Sequence, residues 1–121
     1  YFYMYSIRLK KLFYKDLAFE ELYMFPFDKI IKGSKIVLYG AGQVGQTFYK
    51  QLQKLDYCKV IGWVDMDYSI YDNELIKGID CIKNMRFDYI LIAISASDVC
   101  MKVQDSLVRM GVGISKIIRY K

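Results

Sequence analysis

Gly40, Gly42, Gly45 and Asp65 are the residues whose types and spacing can do chemistry in this chain. The run Gly40-Ala41-Gly42-Gln43-Val44-Gly45 reads as G-x-G-x-x-G, in which the first glycine permits a tight turn, the second lets the backbone approach a phosphate closely, and the third lets a helix pack hard against a strand. The chemistry on offer is anion binding by backbone amides, reinforced by the positive end of a helix dipole that begins at Gln43. Asp65 follows ~20 residues after the third glycine, where a carboxylate can accept hydrogen bonds from ribose hydroxyls. Asp67 competes for that role from two positions further on. A bare glycine pattern can serve packing alone, so the elements around it must decide.

Those elements are present in the right order. Ile36 to Tyr39 is an unbroken apolar run of the kind expected for a parallel strand covered on both faces. Val44, Phe48, Leu52 and Leu55 recur at helical spacing and predict a helix over Gln43 to Leu55. A second apolar run, Val60 to Val64, leads straight into Asp65. Strand, glycine turn, helix and strand ending on an acid make up the context of the dinucleotide-binding fingerprint, so a nucleotide-containing ligand is expected. The residues after Asp65 are Met66, Asp67 and Tyr68, with no arginine to accept a 2′-phosphate, and NAD is therefore favoured over NADP.

Downstream, Met66 to Glu74 reads as a polar, aromatic connection beside the adenosine half of such a ligand, where Tyr68 or Tyr71 can stack. Lys77-Gly78 suggests a turn, Ile79 to Ile82 a brief edge strand, and the crossover helix that should precede the next strand is nearly deleted. Phe87 to Ile94 is the strongest strand pattern. It ends at Ser95-Ala96-Ser97-Asp98, a capping-box pattern in which Ser95 either caps the next helix or hydrogen-bonds the ligand. Val99, Val103, Leu107 and Met110 mark that helix, Gly111 its left-handed end, and Lys116 to Tyr120 a last strand. The sum is an α/β fold, a Rossmann-like doubly wound sheet of five parallel strands in the order 3-2-1-4-5.

Ahead of this domain, residues 1–34 form a separate lead-in, with Arg8 to Met24 patterned as an amphipathic helix that Pro26 terminates. That helix is expected to cover a thinly protected part of the sheet, in its own chain or in a homodimer. The length of 121 residues suits a single domain and is short for a complete dehydrogenase, and the start at Tyr1 suggests either a trimmed chain or a domain cut from a longer protein; a covalently linked catalytic domain is the alternative partner to a homodimer.

Composition narrows the chemistry further. The chain has no histidine, which removes imidazole as base, metal ligand and pH switch. Candidate acids and bases near the strand ends are Asp65, Asp67, Tyr68 and Asp98, none with a recognisable partner. Cys58, Cys81 and Cys100 are odd in number and widely spaced, and so suggest neither a disulfide framework nor a zinc site. The net charge of +5 is spread along the chain without a basic block, which argues against nucleic-acid binding. No apolar run approaches the ~18 residues of a membrane span, and a cytoplasmic location is expected.

The stretches FPFDKIIKGSKIVLYGAGQVGQTFYKQL, VIGWVD, FDYILIAIS and GVGISKII resemble a compact NAD(P)-binding domain of bacterial surface and capsular polysaccharide enzymes, related to nucleoside-diphosphate-sugar epimerases and dehydrogenases. The resemblance spans Phe25 to Lys121. It implies that Gly40, Gly42, Gly45 and Asp65 hold the nucleotide, and that the domain accompanies glycosyltransferase or sugar-transferase modules. Related sugar-modifying acetyltransferases use a similar domain for a nucleotide sugar instead. No tyrosine here is followed four residues later by lysine, so the Tyr-x-x-x-Lys pair of full epimerases is missing. An NAD-dependent sugar-nucleotide dehydrogenase or epimerase would thus need substrate groups from another domain.

Overall fold

The computed structural model describes residues 23–120. The amphipathic pattern over Arg8 to Met24 lies almost wholly outside the described residues, and with it the question of a homodimer. Five parallel strands form one sheet: β1 (Lys35–Tyr39), β2 (Lys59–Val64), β3 (Ile76–Lys77), β4 (Tyr89–Ile92) and β5 (Ile117–Arg119). Their spatial order is β3-β2-β1-β4-β5, the doubly wound arrangement that the sequence predicts. The chain crosses first to one side of β1 and later to the other, so the order reverses between β1 and β4. Crevices at such reversals, beyond the carboxyl ends of the strands, are where open α/β sheets bind ligands.

Among the described residues, two α-helices cover the sheet. Helix α1 (Gln43–Leu55) has the predicted bounds and buries Val44, Phe48 and Leu52 against Ile36, Leu38 and Leu91. Helix α2 (Ser97–Arg109) buries Cys100, Val103 and Leu107 on the opposite face, against Val37, Tyr39, Ile90 and Ile92. Because side chains alternate along a strand, Ile36 and Leu38 serve one layer while Val37 and Tyr39 serve the other. The unbroken apolar run of β1 is the consequence. Past α2, Gly111 takes the predicted left-handed conformation, at φ +100°.

The edge strand differs from the expectation. It is Ile76–Lys77, paired with Trp63 and Val64, while Ile79–Asn84 forms a 3-10 helix. In a 3-10 helix, residues three apart fall on one face. Ile79 and Ile82 can therefore both pack onto the α2 side of the sheet, which an alternating strand would not allow. This single short helix stands where a full crossover helix would lie. The capping box is also absent: α2 begins at Ser97 with Ala96 as its N-cap and no side-chain cap bond. Starting the helix there moves Ser95 out of capping register.

The described part of the lead-in, residues 23–34, packs as part of the core. Phe25 and Ile30 are buried, and Phe25 meets Phe27, Phe48 and Tyr57 edge to face. Gln51, on the inner face of α1 and 0% exposed, holds this segment in place. Its Oε1 accepts from the Phe25 N–H at 2.9 Å and its Nε2 donates to the Tyr23 carbonyl at 3.0 Å. Changing Gln51→Leu keeps the volume and takes the acceptor from the buried Phe25 N–H, so urea denaturation should report a loss of about 1–3 kcal/mol. An unchanged midpoint would show that the lead-in is not fastened there.

Candidate functional site

The glycine turn is built by mutual bracing of loop, strand ends and helix. Gly40 has φ +115°, and a Cβ there would come within 2.9 Å of the Ala93 carbonyl oxygen, so glycine is required by conformation and by space. The Gly40 amide donates to the Val64 carbonyl at 2.8 Å, tying the loop to the end of β2. Its carbonyl accepts from the buried Trp63 indole N–H at 2.8 Å, and the Trp63 ring stacks on Tyr49 at 4.6 Å. The Ala41 carbonyl accepts from Gln46 Nε2 at 2.9 Å. Both carbonyls that could repel an anion are thus tied back into the protein. Gly45 provides the close approach of helix to strand, because a Cβ on it would collide with the Gly40 carbonyl oxygen.

Gly42 is different. A Cβ there would meet nothing within 4 Å, and as the N-cap of α1 the residue supplies no side chain to the helix end. No acidic residue lies in the first turn. The leading amides of α1 and the positive end of its dipole therefore face open space at Gly42 and Gln43.

That space is a cavity of about 440 Å³, within the ~300–1,000 Å³ range of small-molecule sites. Cavities of similar size occur elsewhere on the described surface, so its lining is what marks it. Gly40, Gly42, Gln43 and Val44 of the turn line it, as do Asp65 and Met66 after β2 and Ser95 after β4. Three strand ends meet there, at the order reversal. Of the predicted site residues, Ala41 and Gly45 do not line the cavity; both are buried and shape the turn from behind.

Asp65 is fixed by the backbone. One carboxylate oxygen accepts from the Ala41 N–H at 2.7 Å and the other from the Asp67 N–H at 2.8 Å. A carboxylate has about four acceptor positions, so these bonds orient Asp65 and leave it capacity on the cavity side. Asp67 also lines the cavity, but from an exposed position at its rim, and its backbone amide serves Asp65. Geometry thus favours Asp65 over its rival. Of the two tyrosines expected to stack, Tyr71 lines the cavity, whereas Tyr68 lies against Gly78. Asp98 does not line the cavity.

The lining also includes residues that the sequence pattern did not single out: Tyr23, Tyr39, Ala93, Ile94, and Val99 and Val103 in a chemical role. Tyr39 was legible only as the last residue of an apolar strand, its hydroxyl being the one polar tip in Ile36 to Tyr39. Burial pushes its phenol above the usual range, and the nearby Asp65 charge adds to the effect. Tyr71 is raised likewise, by burial first and then by Asp65 and Asp67. Both remain protonated hydrogen-bond donors at neutral pH. Among the described residues that line the cavity there is no lysine or arginine.

The thiols do not suit nucleophilic chemistry. Cys58 is buried, which pushes its thiol up to about 11, and burial also raises Cys81. Cys100 is buried with its thiol donating to the Ile94 carbonyl at 3.0 Å. Iodoacetamide at pH 8 should therefore modify the half-buried Cys81 first and leave Cys58 and Cys100 intact until the chain unfolds. Mass spectrometry of the folded protein checks this, and rapid native labelling of Cys58 would contradict it. Among the described residues no group of three or more metal-binding side chains occurs, and no helix is long and apolar enough to cross a membrane.

No curated protein matches the chain. The model of one family, described as C2185-like, N-terminal, matches residues 32–118, a stretch that contains all five strands except the last residue of β5 and nearly every residue of the cavity. The chain belongs to the C2185-like, N-terminal family.

Proposed function

We propose that this domain binds a nucleotide-containing ligand, NAD or a nucleotide sugar, in the cavity at the glycine turn. The observation that carries the reading is the pairing, in the lining of one cavity, of an uncapped helix end at Gly42 with a backbone-fixed carboxylate at Asp65. The helix end suits a phosphate, and the carboxylate suits neutral sugar hydroxyls. A nucleotide carries both. Asp65 and Asp67 without a lining cation would repel a 2′-phosphate, which favours NAD over NADP. The likeness to polysaccharide-enzyme domains supports a setting in sugar-nucleotide or polysaccharide biosynthesis, with the domain holding cofactor or substrate for a linked catalytic unit.

Isothermal titration of the protein with NAD, NADP and UDP-glucose tests the reading. Measurable binding of NAD or UDP-glucose, with NADP weaker, is expected; no heat with any of the three would refute it. A catalytic reading, as an NAD-dependent dehydrogenase or epimerase, takes its substrate groups from another domain: of the candidate acids and bases Asp65, Asp67, Tyr68 and Asp98, only Asp65 and Asp67 line the cavity, and the Asp65 carboxylate is held by the Ala41 and Asp67 amides. Hydride transfer by the isolated domain would reverse that assignment.

A further inference from the structure

The end of β1 puts a polar group where packing alone has no use for one. Ile36, Val37 and Leu38 are apolar and 0% exposed, yet the next residue, Tyr39, buries a phenol with only 4% of its surface exposed. No hydrogen bond to the Tyr39 hydroxyl is made by any described residue. A buried donor left unmet is costly, and phenylalanine would fill the same volume without that cost. Tyr39 also lines the cavity, on the α2 side of the sheet, with Ile94, Val99 and Val103 as apolar neighbours in the wall.

We propose that Tyr39 is a ligand-contacting residue: its hydroxyl donates to a sugar hydroxyl of the ligand, and that same hydroxyl donates to Asp65. The assignment rests on the nucleotide reading of the site and adds to it the pair that grips the sugar. A phosphate is the poorer occupant of this position, because it would sit beside the Asp65 carboxylate, close enough to Tyr39 that its charge is felt there. A neutral hydroxyl both accepts and donates, so it satisfies the phenol and the carboxylate at once. The phosphate belongs at the other wall, at the leading amides of α1. Apolar surroundings strengthen such a bridge by keeping water from competing for it.

The variant Tyr39→Phe removes the hydroxyl alone. Thermal unfolding without ligand and calorimetric titration with NAD and with UDP-glucose should be run on both proteins. The expected result is an unfolding midpoint equal to or above that of the unsubstituted protein, together with affinity weakened about tenfold or more for whichever nucleotide binds. Equal affinity in the two proteins would overturn the contact and leave the nucleotide reading standing. A lowered midpoint would mark the hydroxyl as a structural bond and overturn the proposal in another way. Binding of neither nucleotide by the unsubstituted protein would remove both the proposal and the reading beneath it.

Discussion

Replacing Gly42 by valine should sharply weaken nucleotide binding while leaving the unfolding midpoint nearly unchanged. The residue has φ −76°, which any L-residue can adopt, and a Cβ there meets no protein atom within 4 Å. The folded protein therefore has room for the side chain. A phosphate seated on the leading amides of α1 does not, since the isopropyl group would occupy the approach to them. Steric overlap of about 1–3 kcal/mol corresponds to roughly a 5–150-fold loss of affinity. Calorimetry and thermal melting on the same preparation separate the two effects. A fall in stability equal to the fall in binding would show that Gly42 serves packing.

Gly45→Ala should do the reverse. Its Cβ would collide with the Gly40 carbonyl oxygen, which is held by the Trp63 indole and cannot swing aside without breaking that bond. The clash is between backbone segments, so no side-chain rotation relieves it. A loss of about 3 kcal/mol is expected, or roughly 10–25 °C in the midpoint for a domain near this size. Because α1 must lift off the strand to make room, ligand binding falls along with stability. A midpoint unchanged from the parent would mean that helix and turn are not packed as described. The two substitutions, three residues apart in one turn, thus separate the ligand-facing glycine from the structural one.

How much of this was legible in the sequence varies with the kind of signal. Helix α1 was legible to the residue because its apolar positions repeat with helical period and the glycine turn marks where it starts. The strand order followed from parallel crossovers, whose handedness leaves little choice. The edge strand was misplaced because Ile79 to Ile82 is short and apolar, a run that periodicity alone cannot assign. Pairing with Trp63 and Val64 selected Ile76–Lys77 instead, and burial of Ile82 selected the 3-10 turn. The Ser95 capping box failed because such a pattern is meaningful only if the helix begins at the next residue, and here it begins one later.

At the site, Gly40, Gly42 and Asp65 were legible because the fingerprint fixes their spacing. Their bracing was not. Trp63 under the Gly40 carbonyl and Gln51 under the lead-in are long-range contacts made by residues of ordinary type at positions with no pattern of their own. Tyr39 was hidden for a related reason: in a strand buried on both faces, tyrosine reads as another apolar residue until its hydroxyl is found to have no hydrogen-bond partner among the described residues. The chemistry that distinguishes Asp65 from Asp67 also required coordinates, since it lies in which carboxylate the Ala41 amide meets.

The central claim is that the leading amides of α1 and the carboxylate of Asp65 receive one ligand. Amide chemical-shift mapping by NMR with isotopically labelled protein tests it most directly. On addition of NAD or UDP-glucose, the account predicts the largest shifts at Gly42, Gln43 and Val44, accompanied by Asp65, Asp67 and Ser95 across the cavity. Binding that leaves these amides unmoved and shifts residues at the opposite ends of the strands would contradict it.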